Sequence, residues 1–160
     1  MNSMPIQQVI SKAVSHKGYK EGANNDNIFA AIAGHANHQP WCATFITAVF
    51  KEAGEAAAIP NSASCEFIEA WGNKMKRTRT KQAAKRGDLI LFDFSKSGKS
   101  QHIGIAIHDY DLTKNTIQTI EGNTGDTNQT NGDGVYVKTR QLEFIRAVIR
   151  PVWSDPNEAK

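Results

Sequence analysis

Apolar residues follow a helical spacing in the first half of the chain and a strand-like spacing in the second half. Four stretches carry apolar residues three and four positions apart, as amphipathic helices do: residues 6–14, 28–33, 42–53 and 65–75. Beyond them, short runs rich in Ile, Val, Phe and Thr are separated by polar turns, which is typical of β-strands: residues 88–94, 102–108, 116–121, 135–137 and 144–150. Helices followed by closely spaced strands predict an α+β fold, with the N-terminal helices packed on a C-terminal antiparallel sheet of about five to six strands.

Polar residues before two of the helices fit the position of an N-cap. Asp26 or Asn27 precedes the second helical stretch, and residues 61–64 precede the fourth. The strand at residues 102–108 alternates Ile with His, Gly and Ala, so one of its faces carries only small residues between two histidines. Such a face leaves room for another element or a ligand to approach closely.

Composition fits a single domain of 160 residues with one hydrophobic core. There is no long apolar run, so we expect no membrane insertion. The first five residues lack the charged and apolar regions of a signal peptide, which predicts synthesis in the cytoplasm or export by another route. The two cysteines, Cys42 and Cys65, are too few for a disulfide scaffold. If they formed a disulfide with each other, Cys42 would be blocked as a catalytic residue.

Positive charge is unevenly spread, although the net charge is only +3. A basic run without intervening acids comprises Lys74, Lys76, Arg77, Arg79, Lys81, Lys85 and Arg86. The first interpretation of this basic run is a solvent-exposed surface, and the alternative is a surface that attracts a polyanion. Nucleic acid is not an expected partner, because no interleaved aromatic residues or nucleic-acid motif accompany the run.

Cys42 lies at the predicted start of an apolar helix, where the helix dipole and unpaired backbone N–H groups favour a thiolate. His102 opens a predicted strand, and Glu121 and Asn123 end the next one. A thiol, an imidazole and a polar group that orients the imidazole are the parts of a cysteine-dependent acyl-transfer site. The structural alternative makes Cys42 a small core residue, His102 a strand-end histidine and Glu121 a surface charge.

Four motifs in order resemble the CHAP family: residues 41–43, 87–92, 102–105 and 120–124. These cysteine- and histidine-dependent amidohydrolases/peptidases have a papain-like α+β fold and cut bacterial peptidoglycan. The resemblance implies that Cys42 is the nucleophile and His102 the general base. It implies that Glu121 orients the imidazole, that Asn123 is a further orienting or stabilising group, and that Trp41 lines the substrate groove.

The resemblance also implies a peptidoglycan hydrolase of the phage endolysin type, a virion-associated lysin or an exported bacterial effector. It would cut either the N-acetylmuramoyl-L-alanine amide bond or a peptide bond of the stem or cross-bridge, with a slight preference for the second. The basic run would lie against anionic wall polymers. A binding module with a structural Cys42 and an intracellular cysteine protease stay open as alternatives.

We expect residues 1–153 to form the catalytic domain, a monomer, and residues 154–160 to begin a linker to a further domain. Some phage-derived members of the family bind calcium through an aspartate- and glycine-rich stretch before the cysteine. Residues 34–40 have no aspartate, so we expect neither calcium nor another cofactor. His35 and His38 lack the partners of a metal site and are expected on the surface.

Overall fold

Helices occupy the first half of the described chain and strands the second half. The structure is a computed structural model that describes residues 4–155, so the end of the predicted tail, residues 156–160, lies outside it. The helices are α1 (Met4–Ser15), α2 (Phe29–Ala33), α3 (Cys42–Glu52) and α4 (Cys65–Lys74). The strands are β1 (Thr78–Arg79), β2 (Leu89–Phe92), β3 (His102–Ala106), β4 (Thr116–Thr124), β5 (Gly134–Gln141) and β6 (Ile145–Ile149). The predicted α+β class is confirmed.

All neighbouring strands pair antiparallel, in the order β1-β6-β2-β3-β4-β5. Strand β1 was not predicted, because its two residues lie within the basic run and are too few to show alternation. Strand β4 continues to Thr124, beyond the predicted end at Glu121, through an irregularity in its pairing with β5. The extension carries Asn123 into the sheet.

Helix α3 is the centre of the fold. Its first nine residues, Cys42 to Phe50, are all buried. It packs against α1 and α2 on one side and against β3 and β4 on the other. A helix enclosed by other elements is apolar around most of its circumference, and this is why its sequence has few polar residues.

The sheet is buried on both faces. Ile103 and Ile105 of β3 join the larger core beneath the helices. Ala106 joins a second, smaller core on the opposite face, with Ile90 and Phe92 of β2. The predicted alternation of β3 is therefore confirmed, but both of its faces are covered.

Side-chain caps fix the starts of α2 and α4 as predicted. The Ala30 backbone N–H donates to Oδ1 of Asn27 at 3.0 Å. The Phe67 backbone N–H donates to Oγ of Ser64 at 3.1 Å. Each bond satisfies a helical N–H that has no intrahelical acceptor. The second cap sets the position of Cys65, the first residue of α4.

A buried ion pair joins the start of β2 to the end of β6. Arg150 donates from Nε to Oδ1 of Asp88 at 3.0 Å and from Nη2 to Oδ2 at 2.9 Å. Burial raises the pKa of the Asp88 carboxyl, and the hydrogen bonds from Arg150 oppose this effect. Within residues 4–155, no helix is long and apolar enough to cross a membrane.

Candidate active site

The thiol of Cys42 lies at the start of α3, with only 6% of the residue exposed. Trp41, at the N-cap position, is 1% exposed and stacks on Phe29 with ring centroids 5.4 Å apart. The indole Nε1–H of Trp41 donates to Oε1 of Glu21 at 2.9 Å. Because its ring is enclosed in the core, Trp41 has almost no surface to offer a substrate groove. Its contacts instead fix the entry of the chain into α3.

His102 and Glu121 form a fully buried pair across β3 and β4. Nε2 of His102 lies 2.9 Å from Oε1 of Glu121, and both side chains have no exposed surface. The carboxylate accepts further hydrogen bonds from Thr119 Oγ1 and from Nε and Nη2 of Arg140. The structure therefore joins two of the predicted site residues and adds two that the sequence analysis missed.

The missed residues differ in the signal that the sequence offered. Thr119 stands two positions before Glu121, so strand alternation places both side chains on the same face. Arg140 gave no local signal, because its approach to Glu121 depends on the pairing of β4 with β5, in which Ile117 faces Arg140. The guanidinium reaches Glu121 diagonally along the sheet.

Charges in this buried cluster are set by the partners of each group. Burial disfavours the charged carboxylate, but Arg140 and His102 outweigh burial and lower the pKa of Glu121 to about 2. Burial also disfavours a charged imidazole, but Cys42 and Glu121 outweigh it and raise the pKa of His102 to about 9. At neutral pH the carboxylate is ionised and the imidazole is protonated.

The surroundings of Cys42 favour its negatively charged form. A hydrogen bond from the Cys65 thiol and the neighbouring His102 imidazole hold the pKa of Cys42 well below its ordinary value, against the effect of burial. Nδ1 of His102, the ring nitrogen that Glu121 does not use, is buried and makes no hydrogen bond. Hydrogen bonds between a catalytic base and its nucleophile are often long or poorly aligned without substrate, and they tighten when substrate binds. The arrangement favours a thiolate–imidazolium pair.

Cys65 lies beside the Cys42 thiol, so the two cysteines whose pairing the sequence analysis raised as an alternative are neighbours. The two Sγ atoms are 3.7 Å apart, both residues are buried, and both thiols are free. The hydrogen bond to Cys42, burial and the nearby negative charges raise the pKa of the Cys65 thiol well above its ordinary value. The pair therefore favours a thiolate on Cys42 and a protonated thiol on Cys65.

Two glycines allow the close approaches on which the site depends. A Cβ atom at Gly104 of β3 would lie 2.6 Å from Cγ of Glu121. A Cβ atom at Gly122 would lie 2.7 Å from Cβ of Phe45 and 2.8 Å from the Trp41 ring. The room predicted on the small-residue face of β3 is thus filled by the Glu121 side chain, and Gly122 lets β4 contact the start of α3.

Asn123 is fully buried in the irregular end of β4, with a left-handed φ of 55°. Asparagine tolerates this conformation better than most residues. Its amide Oδ1 and Nδ2 have no hydrogen-bond partner. The structure thus places Asn123 two residues from Glu121 and shows no hydrogen bond to His102.

The two histidines before Cys42 are held by neighbours other than a metal ion. His35 makes hydrogen bonds to Thr44 and Asn61, and Nδ1 of His38 lies 2.9 Å from the carbonyl oxygen of Asn24. No group of three or more His, Cys, Asp or Glu side chains in residues 4–155 is arranged to hold a metal ion. The described residues thus offer no cluster on which to build a metal centre.

A sequence profile of the CHAP domain matches residues 34–123, which is more than half of the chain and includes Cys42, His102, Glu121 and Asn123. The chain belongs to the CHAP domain family. The predicted resemblance is confirmed, and family membership supports the class of peptidoglycan hydrolases for this CHAP domain. No curated protein sequence matches it significantly.

Solved structures share the fold of this CHAP domain. The resuscitation promoting factor interacting protein RipA, in a mutated form, has a TM-score of 0.60 and 18% identity over 92% of this chain and 62% of that chain. The peptidoglycan hydrolase RipB from Mycobacterium tuberculosis has a TM-score of 0.58 and 19% identity, with 91% and 64% covered. A P60 domain from M. avium subspecies paratuberculosis has a TM-score of 0.58 and 18% identity, with 94% and 96% covered.

The chain therefore spans less than two thirds of the RipA and RipB chains. At such low identity these similarities establish the papain-like fold. The chemistry of this CHAP domain has to be argued from its own residues.

Proposed function

We propose that this CHAP domain cleaves an amide bond of bacterial peptidoglycan through an acyl-enzyme on Cys42. The observation that carries the proposal is the buried His102–Glu121 pair, joined at 2.9 Å, beside a thiol whose pKa is lowered. A surface histidine and an inert core cysteine would need no such cluster of charges, which is costly to bury unless its members pair. The family match supports the substrate class.

In the proposed first half-reaction, the Cys42 thiolate attacks the carbonyl carbon of the scissile amide. Backbone N–H groups at the start of α3 have no intrahelical acceptors and are suited to stabilise the oxyanion. The His102 imidazolium then gives its proton to the leaving amine, and the acyl group remains on sulfur. The raised pKa of His102 supports this role, because the proton is present at neutral pH.

In the second half-reaction, the neutral His102 imidazole takes a proton from water, and the resulting hydroxide attacks the thioester. The new carboxylic acid leaves, Cys42 departs as the thiolate, and His102 is again an imidazolium. The ionised Glu121 accepts the Nε2–H bond throughout and leaves Nδ1 facing the reacting atoms. Arg140 and Thr119 hold the carboxylate in place.

Asn123 and Trp41 have different supporting roles in this proposal. The buried, unpartnered amide of Asn123 is a polar group available to orient the imidazole or to bind a polar atom of the reacting complex. Trp41 acts as a positioning residue, because its ring packs on Phe29 and fixes the turn that precedes Cys42.

For the finer function we propose an endolysin-type hydrolase, with stem or cross-bridge peptide cleavage slightly preferred over N-acetylmuramoyl-L-alanine amidase activity. It would act on the cell wall as a monomer, without calcium. The exposed lysines of the basic run would contact anionic wall polymers, and this contribution should weaken as salt screens it.

The deciding experiment is mass spectrometry of peptidoglycan fragments after digestion by the wild type, Cys42→Ala and His102→Ala. His108→Ala is the matched histidine control, because His108 lies just beyond β3 and is exposed. We expect new amine termini with the wild type and His108→Ala only. A new L-alanine terminus identifies an amidase, and an internal stem or bridge terminus identifies an endopeptidase.

Other outcomes favour the alternatives. Equal digestion by Cys42→Ala would rule out the thiol mechanism. Wall binding without any fragments, tested on Gram-positive and Gram-negative walls, would favour the binding module. Cleavage of a protein substrate with intact walls would favour an intracellular cysteine protease.

A further inference from the structure

Beyond favouring the Cys42 thiolate, Cys65 has no part in the proposed hydrolytic steps. Both cysteines are the first residue of a helix, α3 for Cys42 and α4 for Cys65, so the starts of two helices meet at the thiols. The sulfur atoms are 3.7 Å apart. A disulfide requires about 2.05 Å between its sulfur atoms, so closure needs a movement of about 1.7 Å.

We propose that Cys42 and Cys65 form a reversible disulfide that switches the hydrolase off. The inference rests on the proposed function, because it requires Cys42 to be the nucleophile. In this proposal Cys65 is the resolving thiol. It protects Cys42 by capturing its first oxidation product.

The surrounding structure keeps the two thiols together and leaves Cys65 the more adjustable of them. Cys42 belongs to the buried helix α3 and cannot shift without disturbing the core. Cys65 follows a non-helical segment, residues 59–64, which Thr47 of α3 anchors by donating to the Ser62 carbonyl oxygen at 3.1 Å. The anchor keeps Cys65 near α3, and the first turn of α4 can take up the short closing movement.

The unequal charge of the two thiols sets the order of the steps. The Cys42 thiolate attacks hydrogen peroxide, the O–O bond breaks, and Cys42 becomes a sulfenic acid while the released hydroxide takes a proton to form water. Cys65 then loses its proton and attacks the Cys42 sulfur. The S–O bond breaks, and the hydroxide leaves as a second water. A dithiol reductant reverses the change and is itself oxidised to a disulfide.

Without Cys65, the sulfenic acid would have no thiol beside it. Further peroxide would carry it to the sulfinic acid, which thiol reductants do not restore. The proposal therefore predicts a difference between reversible and irreversible inactivation, and a structural role for Cys65 in packing alone would not produce that difference.

The test treats the whole chain with excess hydrogen peroxide and then with dithiothreitol, in the wild type and in Cys65→Ser. For the wild type we expect a mass loss of about 2 Da, a peptide pair linked through Cys42 and Cys65, and loss of wall digestion that dithiothreitol restores. For Cys65→Ser we expect a mass gain of about 32 Da on Cys42 and an activity loss that dithiothreitol does not restore.

Oxygen addition to Cys42 without a linked peptide in the wild type would overturn the proposal, and so would equal recovery of both proteins. If Cys65→Ser does not fold, the linked peptide and the recovery of the wild type decide the matter alone. Reduced wild type that digests no wall would overturn the proposed function, and the switch with it. Active wild type that forms no disulfide would overturn the switch alone.

Discussion

Arg140 donates two hydrogen bonds to the Glu121 carboxylate, from Nε to Oε2 at 2.9 Å and from Nη2 to Oε1, and both residues are buried. The guanidinium also lies over the Phe94 ring, 4.8 Å from its centroid. A planar group held on one side by an aromatic ring has little freedom to turn. Arg140 thus fixes both the charge and the orientation of the carboxylate that His102 contacts.

Replacing Arg140 should impair catalysis through Glu121. Arg140→Met removes the charge that keeps the buried carboxylate ionised, so the pKa of Glu121 should rise, and kcat should fall about tenfold or more. Arg140→Lys keeps a charge but loses the two-pronged contact, and should be intermediate. The pH dependence of kcat is the measurement. An unchanged profile in Arg140→Met, with only a lower melting temperature, would leave Arg140 a purely structural role.

The activity of the wild type should be constant across neutral pH and fall on both sides. On the acid side, protonation of the Cys42 thiolate removes the nucleophile, and its lowered pKa places this limb well below the range of an ordinary thiol. On the alkaline side, His102 loses the proton that the leaving amine needs, and this loss is centred near its pKa of about 9. Initial rates of wall digestion at constant ionic strength measure both limbs. A rate that still rises steeply through the range in which an ordinary thiol ionises, about pH 8.5, would contradict the thiolate–imidazolium pair.

Adding one methyl group to β3 should disturb the His102–Glu121 pair. In Gly104→Ala, the new Cβ would lie 2.6 Å from Cγ of Glu121, so the side chain must move away from its present position. We expect kcat to fall about tenfold or more while the protein still folds. Gly125→Ala is the control, because the atom nearest to its new Cβ, Oδ1 of Asp133, would lie 3.3 Å away. Equal activity of the two variants would show that Glu121 does not require its present position.

The two ion pairs Asp88–Arg150 and Lys20–Asp133 should differ sharply in their effect on stability. Asp88→Ala takes the carboxylate away from a buried guanidinium and should lower the free energy of unfolding by about 3–5 kcal/mol. Asp133→Ala removes one member of an exposed pair that solvent screens, and should lower the free energy of unfolding far less. Urea denaturation of both variants gives the comparison. Similar losses would mean that the buried pair adds nothing beyond a surface contact.

The helices and the strand-rich half were predictable because their signals are local. The apolar spacing in residues 42–53 reflects the contact of α3 with its surroundings, and Ser64 reveals the start of α4 by its residue type alone. The start of β3 at His102 and the path of β4 through Glu121 follow from alternation in the same way. The positions of His102 at the start of β3 and of Glu121 within β4 were therefore visible in the sequence.

The missing parts of the site depend on distant pairings. Arg140 meets Glu121 only through the register of β5 on β4, and Cys65 meets Cys42 only because the starts of two helices converge. No spacing along the chain encodes either contact. The sequence likewise carried no sign that the Trp41 ring, expected to line the substrate groove, is buried. The stacking on Phe29 that buries it is a tertiary contact.

The enclosure of α3 limits how far the start of this helix can move. A helix whose first nine residues are buried opens only in the largest native-state fluctuations, so the hydrogen-bonded amide protons of α3 should exchange among the slowest in the chain. The loop between β4 and β5 is polar and largely exposed, yet Oε1 of Gln129 in this loop accepts a hydrogen bond from Nη1 of Arg140 at 2.7 Å. Substitution of Gln129 can therefore disturb Glu121 through Arg140, although Gln129 lies in a loop outside the sheet.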